Sequence, residues 1–400
     1  MKLGQNAKNA ILIGSLCSVS YFSVYIARNI LGAVTPKMLE NGYTEAYIGS
    51  VSSLFFVFYA VGQLINGAIG DKIHAKWMIA MGLLGAGVSN FLFPLFAFSK
   101  TVAMLFYAMA GFFLSMIYGP MTKVVAENTE PIYATRCSLG YTFASFFASP
   151  TAGILASFLA WQGVFSVGSL ALVVMSAAVL IFFGLFEKRG IVRYGLYPKS
   201  TRGVGNVSAL ISRGIVRFSL ISVITGVVRT SVVFWLPTYT TQRLGFSAEE
   251  SAWIFTASTL VISLTTFIVI FVYERLGRNM NATILLMFSL SAVFFILCYL
   301  VTSPVVNIIC LVLAIMASGG SATMLWSRYC PSLRDTGMVS SATGFLDFLS
   351  YMAAAAANLL FANAAGTIGW KNLILVWVGL MLFGVVISLP LKRIIRRKML

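Results

Sequence analysis

The sequence predicts an all-α membrane protein with 12 transmembrane helices in two six-helix halves. Of its 400 residues, 59% are hydrophobic and 10% are charged, whereas a soluble domain carries about 25% charge. Twelve apolar runs are each long enough for a spanning helix, which needs about 20 residues. A soluble globular protein is therefore excluded, and the repeated landmarks described below divide the chain into halves.

The apolar runs are separated mostly by short polar connections. They lie near residues 10–34, 47–69, 77–98, 102–126, 137–160, 163–186, 212–239, 251–273, 281–302, 304–327, 338–363 and 371–391. A longer polar stretch follows the sixth run. We therefore predict an N-terminal half over residues 1–186, a cytoplasmic linker over residues 187–211 and a C-terminal half over residues 212–400.

The distribution of Lys and Arg predicts the orientation. With the N-terminus in the cytoplasm, the opposite side holds Lys37, Lys100, Arg243 and Lys371, and the other loop Lys and Arg residues are cytoplasmic. Cytoplasmic loops carry such an excess, so we expect a plasma (inner) membrane protein with both termini in the cytoplasm. The same bias explains the net charge of +17. Membrane lipid is thus an expected partner and nucleic acid is not.

Two arginines stand alone within apolar runs. Arg28 lies in the first run and Arg229 in the seventh, 201 residues apart, and a proline follows each by eight residues (Pro36 and Pro237). A charge near the bilayer centre costs roughly 2.5–3.5 kcal/mol on insertion scales and usually marks a functional site. The symmetry predicts a transporter whose halves each place one arginine at a central anion site. The alternative is a structural role, in which the arginines pair with carbonyl groups or with Asp347.

Other polar side chains accompany these arginines. Tyr21 and Tyr25 share a helix face with Arg28, because the spacing is i, i+4 and i+7. Asp347 is a carboxylate deep in the eleventh run and shares a face with Tyr351. Asp347 has two interpretations, a direct role at the site or simple neutralisation of an arginine.

Two loops carry a repeated charged motif. Residues 67–76 read GAIGDKIHAK, and residues 274–278 read ERLGR. Both resemble the G-x-x-x-D-R/K-x-G-R/K-R/K loop of the major facilitator superfamily, although the first departs from it at His74 and Ala75. Six-span repeats in parallel orientation are also typical of that architecture. The resemblance implies a gating role for Asp71, Lys72, Glu274 and Arg275.

Within that superfamily, the chain resembles the organophosphate:phosphate antiporters, which include glycerol-3-phosphate and hexose-phosphate carriers. Residues 229–239 read RTSVVFWLPTY, similar to that family's R-x5-W-x-P-T-Y. Residues 119–123 read GPMTK, and Gly344-Phe345 precede Tyr351 at the family's spacing. The resemblance implies that the two arginines bind substrate phosphate, with Tyr25 beside them. The predicted substrate-binding set is Arg28, Arg229, Tyr25, Tyr21, Gln63, Lys123, Asp347 and Tyr351.

The chain departs from these antiporters at two positions. Gln63 stands where they have a lysine, and residues 143–148 lack the histidine of their W-N-x-x-H-N motif. We therefore predict a secondary active transporter for a small organic anion, a phosphorylated metabolite, by exchange or ion coupling. The alternatives are a transporter-like membrane receptor that senses such a solute and a carrier for a non-phosphorylated carboxylate.

Enzymatic chemistry is not expected. The sequence shows no paired carboxylates with a histidine, no metal-ligand spacing and no glycine-rich loop that cradles phosphate at a helix start. We therefore predict neither a cofactor nor a metal, and energy must come from a gradient or from exchange. Such carriers commonly work as monomers, which is the expectation here.

Overall fold

The structure is a computed structural model that describes residues 4–69, 73–194, 207–333 and 339–389. Within these ranges, all regular secondary structure is helical. Ten of the described helices are long and apolar enough to cross a membrane. They contain eleven of the twelve predicted runs, because one helix contains two, and the fifth run is represented by the shorter apolar helix Phe147–Phe158. The prediction of an all-α, multi-pass membrane protein is confirmed.

The first six runs each fall in a helical segment, named here spans 1 to 6. A turn interrupts span 4, and a short helix, Val207–Ser212, precedes the seventh run. The bounds are Gln5–Glu40 (span 1), Glu45–Ile69 (span 2), Ala75–Leu95 (span 3), Lys100–Leu114 with Tyr118–Asn128 (span 4), Pro131–Phe158 (span 5) and Trp161–Lys188 (span 6).

The later runs form spans 7 to 12. Spans 11 and 12 are joined in Val339–Ser388 but break at Gly369, whose φ of 76° is rarely adopted by L-residues. This break lies between the two predicted runs. The other bounds are Ile215–Gly226, Val227–Val232 and Val233–Leu244 (span 7), Ala248–Ser263 with Thr265–Arg275 (span 8), Met280–Leu300 (span 9), and Pro304–Met324, Leu325–Tyr329 and Cys330–Ser332 (span 10).

Packing contacts divide the chain into two compact units. The first unit contains Met1–Arg202, Phe234–Leu260 and Ala355–Ala362. The second contains Gly203–Val233, Val261–Ala354 and Asn363–Leu400. The unit boundaries pass through spans 7, 8 and 11. The predicted division of the sequence at residues 186 and 212 concerns the repeat, and it stays a prediction.

Within the first unit, small residues let spans 1 and 5 approach closely. A Cβ atom added to Gly14 would lie 2.6 Å from Cys137 Sγ, and one added to Gly140 would lie 2.7 Å from Ser18 Oγ. Small residues at contacts between membrane helices allow such close backbone packing. Between spans 2 and 4, Asn66 Nδ2 donates to Ser115 Oγ at 2.7 Å.

Glycines of spans 2 and 5 also pack closely against residues of spans 8 and 11 within the first unit. A Cβ added to Gly49 would lie 2.5 Å from Ala362 Cβ, and one added to Gly153 would lie 2.1 Å from Thr256 Oγ1. Beside Gly49, Asn358 Nδ2 donates to Ser52 Oγ at 2.7 Å. We call the contact of Gly49 and Ser52 with Asn358 and Ala362 the span 2–span 11 contact. It leaves no room for a larger side chain at Gly49.

Polar and aromatic contacts hold the end of span 6 and the chain that follows it against the start of span 3 and the end of span 4. Lys76 forms a salt bridge with Glu187, and the His74 ring stacks on the Tyr194 ring with centroids 4.5 Å apart. The backbone N–H of Arg193 donates to Asn128 Oδ1 at 2.6 Å. Burial raises the pKa of the Tyr194 hydroxyl above its ordinary value. The described start of the predicted linker is therefore fixed to the first unit.

In the second unit, Arg217 ties the start of span 7 to the end of span 12. Its Nε donates to the Ile387 carbonyl at 3.0 Å and its Nη2 to the Ser388 carbonyl at 3.1 Å. The last carbonyl groups of a helix have no partner within the helix, and a cation is favourable at that end. Arg217 thus has a structural role that distinguishes it from Arg229.

Candidate substrate site

Three aromatic rings surround the Arg28 guanidinium in the first unit. Its Cζ atom lies 5.4 Å from the centroid of Tyr25, 5.4 Å from that of Phe56 and 5.2 Å from that of Tyr59. Each distance is within the range of cation–π attraction, which strengthens when water is excluded. Arg28 itself is half-buried. The rings therefore stabilise the charge and still leave part of the side chain accessible.

The sequence of spans 1 and 2 explains this arrangement. Tyr25 and Arg28 are three residues apart in span 1, and Phe56 and Tyr59 are three residues apart in span 2, so each pair lies on one helix face. Tyr59 is only 3% exposed. A nearly buried ring has little freedom to move, and it fixes the side of Arg28 that faces span 2.

Tyr21 extends the aromatic lining beyond Arg28. Its ring centroid lies 4.9 Å from that of Tyr25 and 5.5 Å from that of Tyr118 in span 4. The Tyr21 and Tyr25 hydroxyl oxygens are 3.5 Å apart. Tyr118 is 42% exposed. The structure therefore brings Tyr21, Tyr25 and Arg28 together, as the helical spacing predicts, and adds Tyr118.

The other two candidates in the first unit lie beside these aromatic residues in the sequence. Gln63 is half-exposed and comes one helical turn after Tyr59 in span 2. Lys123 is half-exposed and comes five residues after Tyr118 in span 4. Gln63 is therefore on the same helix as Tyr59, which contacts Arg28. Lys123 is on the same helix as Tyr118, which contacts Tyr21.

Arg229 occupies an unusual segment of span 7 in the second unit. Residues Val227–Val232 form a π-helix between two α-helical segments. Arg229 is exposed, whereas Val228 and Ser231 on either side of it are buried. π-Helical turns are rare and occur frequently at functional sites. Span 7 therefore presents one accessible charge within an otherwise buried stretch.

Span 7 packs on span 11 through three short contacts. Ser222 Oγ donates to the Leu346 carbonyl at 2.7 Å, and Ser231 Oγ donates to the Ala354 carbonyl at 3.0 Å. Between them, a Cβ added to Gly226 would lie 2.6 Å from the Ser350 carbonyl oxygen. These contacts fix the register of the two helices on both sides of Arg229.

Asp347 and Tyr351 lie on span 11 in the second unit. Asp347 is half-buried and close enough to interact with Cys330, whereas Tyr351 is buried. Because Ser222 bonds to Leu346, Asp347 lies level with residue 223 of span 7. Arg229 lies further along the paired helices, by roughly 9 Å at 1.5 Å per residue.

The predicted gating residues are only partly described. Asp71 and Lys72 lie outside the described residues. Glu274 and Arg275 are exposed at the end of span 8, and Arg275 Cζ lies 5.0 Å from the Phe271 ring centroid. Their gating role stays a prediction.

Sequence reasoning missed Phe56, Tyr59 and Tyr118. Aromatic residues make up 14% of the chain, so an aromatic residue in a span is a weak signal by itself. A better signal was the four-residue spacing of Tyr59 and Gln63, which puts both on one face of span 2. The π-helical turn around Arg229 has no comparable signature in the sequence.

The apolar spans of the described residues define the class as a multi-pass membrane protein. The sequence model of the Major Facilitator Superfamily matches residues 17–358. The chain belongs to this superfamily. The matching family and the fold are those of membrane transporters rather than of enzymes.

Curated relatives carry names concerned with phosphorylated solutes and with sensing. The chain is 24% identical over 259 residues to the glycerol-3-phosphate transporter of Bacillus subtilis, covering 59% of this chain and 58% of that protein. It is 31% identical over 96 residues to the membrane sensor protein UhpC of Salmonella typhimurium, covering 24% of this chain and 22% of that protein. The matches thus span less than two thirds of either relative.

A solved structure agrees with the fold over nearly the whole chain. A bacterial homolog of the human lysosomal transporter Spinster, in an inward-facing and unoccupied conformation, superposes with a TM-score of 0.74 at 13% identity. The match covers 95% of this chain and 96% of that one. This similarity supports the transporter fold.

Proposed function

We propose that this transporter carries a small organic anion, with a phosphorylated metabolite as the substrate class, by exchange or ion coupling. The observation that carries the proposal is the pair of arginines in spans 1 and 7. Both are accessible within membrane helices, where an arginine without a function is unfavourable. Arg28 and Arg229 bind the anionic group, and Tyr21, Tyr25, Gln63, Lys123, Asp347 and Tyr351 contribute to recognition.

The chemistry of guanidinium favours an oxyanion such as phosphate. Its planar fork of N–H donors matches two oxygens of one phosphate or carboxylate, and it stays charged in all conditions. The aromatic rings around Arg28 keep one side of the guanidinium covered. The name of the Bacillus subtilis relative also supports a phosphorylated substrate. Alternating access would then carry the anion across the membrane.

A transporter-like receptor is a second candidate, because one relative is named as a membrane sensor. A receptor would bind the anion and produce a partner-dependent response without measurable flux. A carboxylate carrier is a third, since Gln63 supplies no positive charge to balance the second charge of a phosphate. Flux measurements with purified protein separate the first candidate from the second, and a comparison of anions separates the first from the third.

We predict that Asp347 allows the empty carrier to return without exchange. When the site is empty, Asp347 would approach one of the two arginines and partly neutralise it, and a neutralised charge crosses a low-dielectric barrier more easily. Asp347 lies on span 11, which is fixed to span 7 on both sides of Arg229, so that a change in the side chains alone could bring the two charges closer. Proteoliposomes without internal anion should therefore take up radiolabelled phosphate, and Asp347→Asn should reduce this net uptake more than it reduces exchange.

Uptake of radiolabelled phosphate by wild-type and Asp347→Asn proteins is measured in proteoliposomes with and without internal phosphate. Equal effects of the substitution on net uptake and exchange would contradict the role of Asp347. Uptake that needs internal phosphate in the wild type would favour obligatory exchange instead.

We also predict that the termini and the linker are cytoplasmic and that the carrier resides in the plasma (inner) membrane as a monomer. The excess of Lys and Arg on one side of the spans gives this orientation. In a background without the native cysteines, Lys371→Cys should react with a membrane-impermeant thiol reagent in intact cells. Ser200→Cys should react only after the cells are opened. The reverse pattern would contradict the orientation.

A further inference from the structure

The register between spans 7 and 11 changes by one residue at Arg229. From Ser222 to Gly226, span 7 advances four residues, and its contacts on span 11 advance four, from Leu346 to Ser350. From Gly226 to Ser231, span 7 advances five residues, whereas span 11 advances four, to Ala354. The π-helical segment Val227–Val232 therefore contains one residue more than an α-helix needs between these contacts.

The extra residue determines which side chain faces span 11. Four residues make slightly more than one turn of an α-helix, so in an uninterrupted α-helix Thr230 would follow Gly226 on the face toward span 11. Arg229 would then be the direct neighbour of that face. In the π-helix, the backbone hydrogen bonds join residues five apart, and Ser231 takes this position instead.

The exposure of the side chains agrees with this geometry. Ser231 is buried and bonded to span 11, while Arg229, two residues earlier, is exposed. Span 1 offers a contrast, because Arg28 lies in a helix without a π-helical segment, Gln5–Glu40. Arg28 is held by aromatic rings from its own helix and from span 2. The two arginines are thus positioned by different means.

We propose that the π-helical turn is a positioning device for Arg229. Its extra residue turns Arg229 away from span 11 and toward water, while Ser222, Gly226 and Ser231 hold the helix on either side. This inference rests on the proposed function only for the use of the device, which is to present Arg229 to the substrate. The orientation of residue 229 is measurable without any substrate.

Deletion of Thr230 tests the device. The deletion removes one residue between Gly226 and Ser231 and allows a continuous α-helix with both contacts retained. In a background without the five native cysteines, Arg229→Cys should react readily with a charged, water-soluble methanethiosulfonate in detergent micelles. With Thr230 deleted, we expect the labelling to be about tenfold slower, because thiol reactivity depends on exposure.

Tyr25→Cys in span 1 is the matched control, and its labelling rate should be the same with and without the deletion. An unchanged rate at position 229 with an unchanged control would overturn the proposal. If the deletion also alters labelling at position 25, the protein is misfolded and the crosslinking measurement decides.

Crosslinking measures the register in a chain of full length. In the same background, oxidation should join the cysteines of a Ser231→Cys and Ala354→Cys double variant. It should join those of Thr230→Cys and Ala354→Cys much more slowly. The opposite preference would show an uninterrupted α-helix and overturn the proposal.

The proposed function and this inference fail separately. Normal transport by Arg229→Lys would contradict the function and leave the labelling and crosslinking results unaffected. Loss of transport by Arg229→Lys, together with unaltered labelling after the deletion, would contradict the positioning device alone.

Discussion

Arg28→Lys and Arg229→Lys should each remove most transport of the phosphorylated substrate. Lysine retains the charge but offers a compact ammonium in place of the planar fork, so it cannot bind two oxygens of one phosphate in the same geometry. Hydrogen bonds to charged groups contribute about 1.5–3 kcal/mol, and 1.4 kcal/mol is a factor of ten. We therefore expect transport at low substrate concentration to fall by about tenfold or more, measured as initial uptake into proteoliposomes.

Arg243→Lys is the matched control, because Arg243 is exposed in the same span as Arg229. Its transport should equal that of the wild type. Folding is followed by the thermal midpoint of each purified variant, and this midpoint should stay close to that of the wild type. Wild-type rates in both Arg28→Lys and Arg229→Lys would refute the role of the arginines.

Gly49→Leu should impair both transport and stability. A Cβ at this position would lie 2.5 Å from Ala362 Cβ and 2.9 Å from the Asn358 carbonyl oxygen, so a leucine cannot fit without moving span 11. Overpacking of this kind costs roughly 1–3 kcal/mol. Alternating access requires such contacts to open and close, and a contact that cannot close slows the cycle. We expect slower uptake and a lower thermal midpoint.

Gly184→Leu provides the control of equal size. In span 6, a Cβ on Gly184 has no neighbouring atom within 4 Å, so this variant should behave as the wild type. Equal behaviour of Gly49→Leu and Gly184→Leu would show that the span 2–span 11 contact is not part of the transport cycle.

The helical fold was predictable because membrane spans have a strong physical signature. The length and apolar composition of each run sufficed to predict a helix, and Gly369 fell between the last two runs, where the chain breaks. The face shared by Tyr21, Tyr25 and Arg28 was also predictable, because it depends on local helical geometry alone. The predicted halves and the cytoplasmic termini remain predictions.

The surroundings of the arginines were not predictable. Phe56 and Tyr59 contact Arg28 from a different span, and only tertiary packing selects them from the many aromatic residues of the chain. The π-helical turn in span 7 arises within VVRTSV, which reads as an ordinary apolar stretch with one charge. The turn lies between the contacts of Gly226 and Ser231 with span 11, and these contacts are visible only in the folded structure.

The most direct test of the central claim is a thermal-shift comparison of purified protein with inorganic phosphate, glycerol 3-phosphate, hexose phosphates and carboxylates. A ligand that binds the folded state stabilises it by about 2.7 kcal/mol at a concentration of 100 times its Kd. We predict that a phosphorylated compound raises the midpoint of the wild type, and that Arg28→Lys and Arg229→Lys abolish the shift. No shift with any phosphorylated compound, or an equal shift in the two arginine variants, would contradict the account.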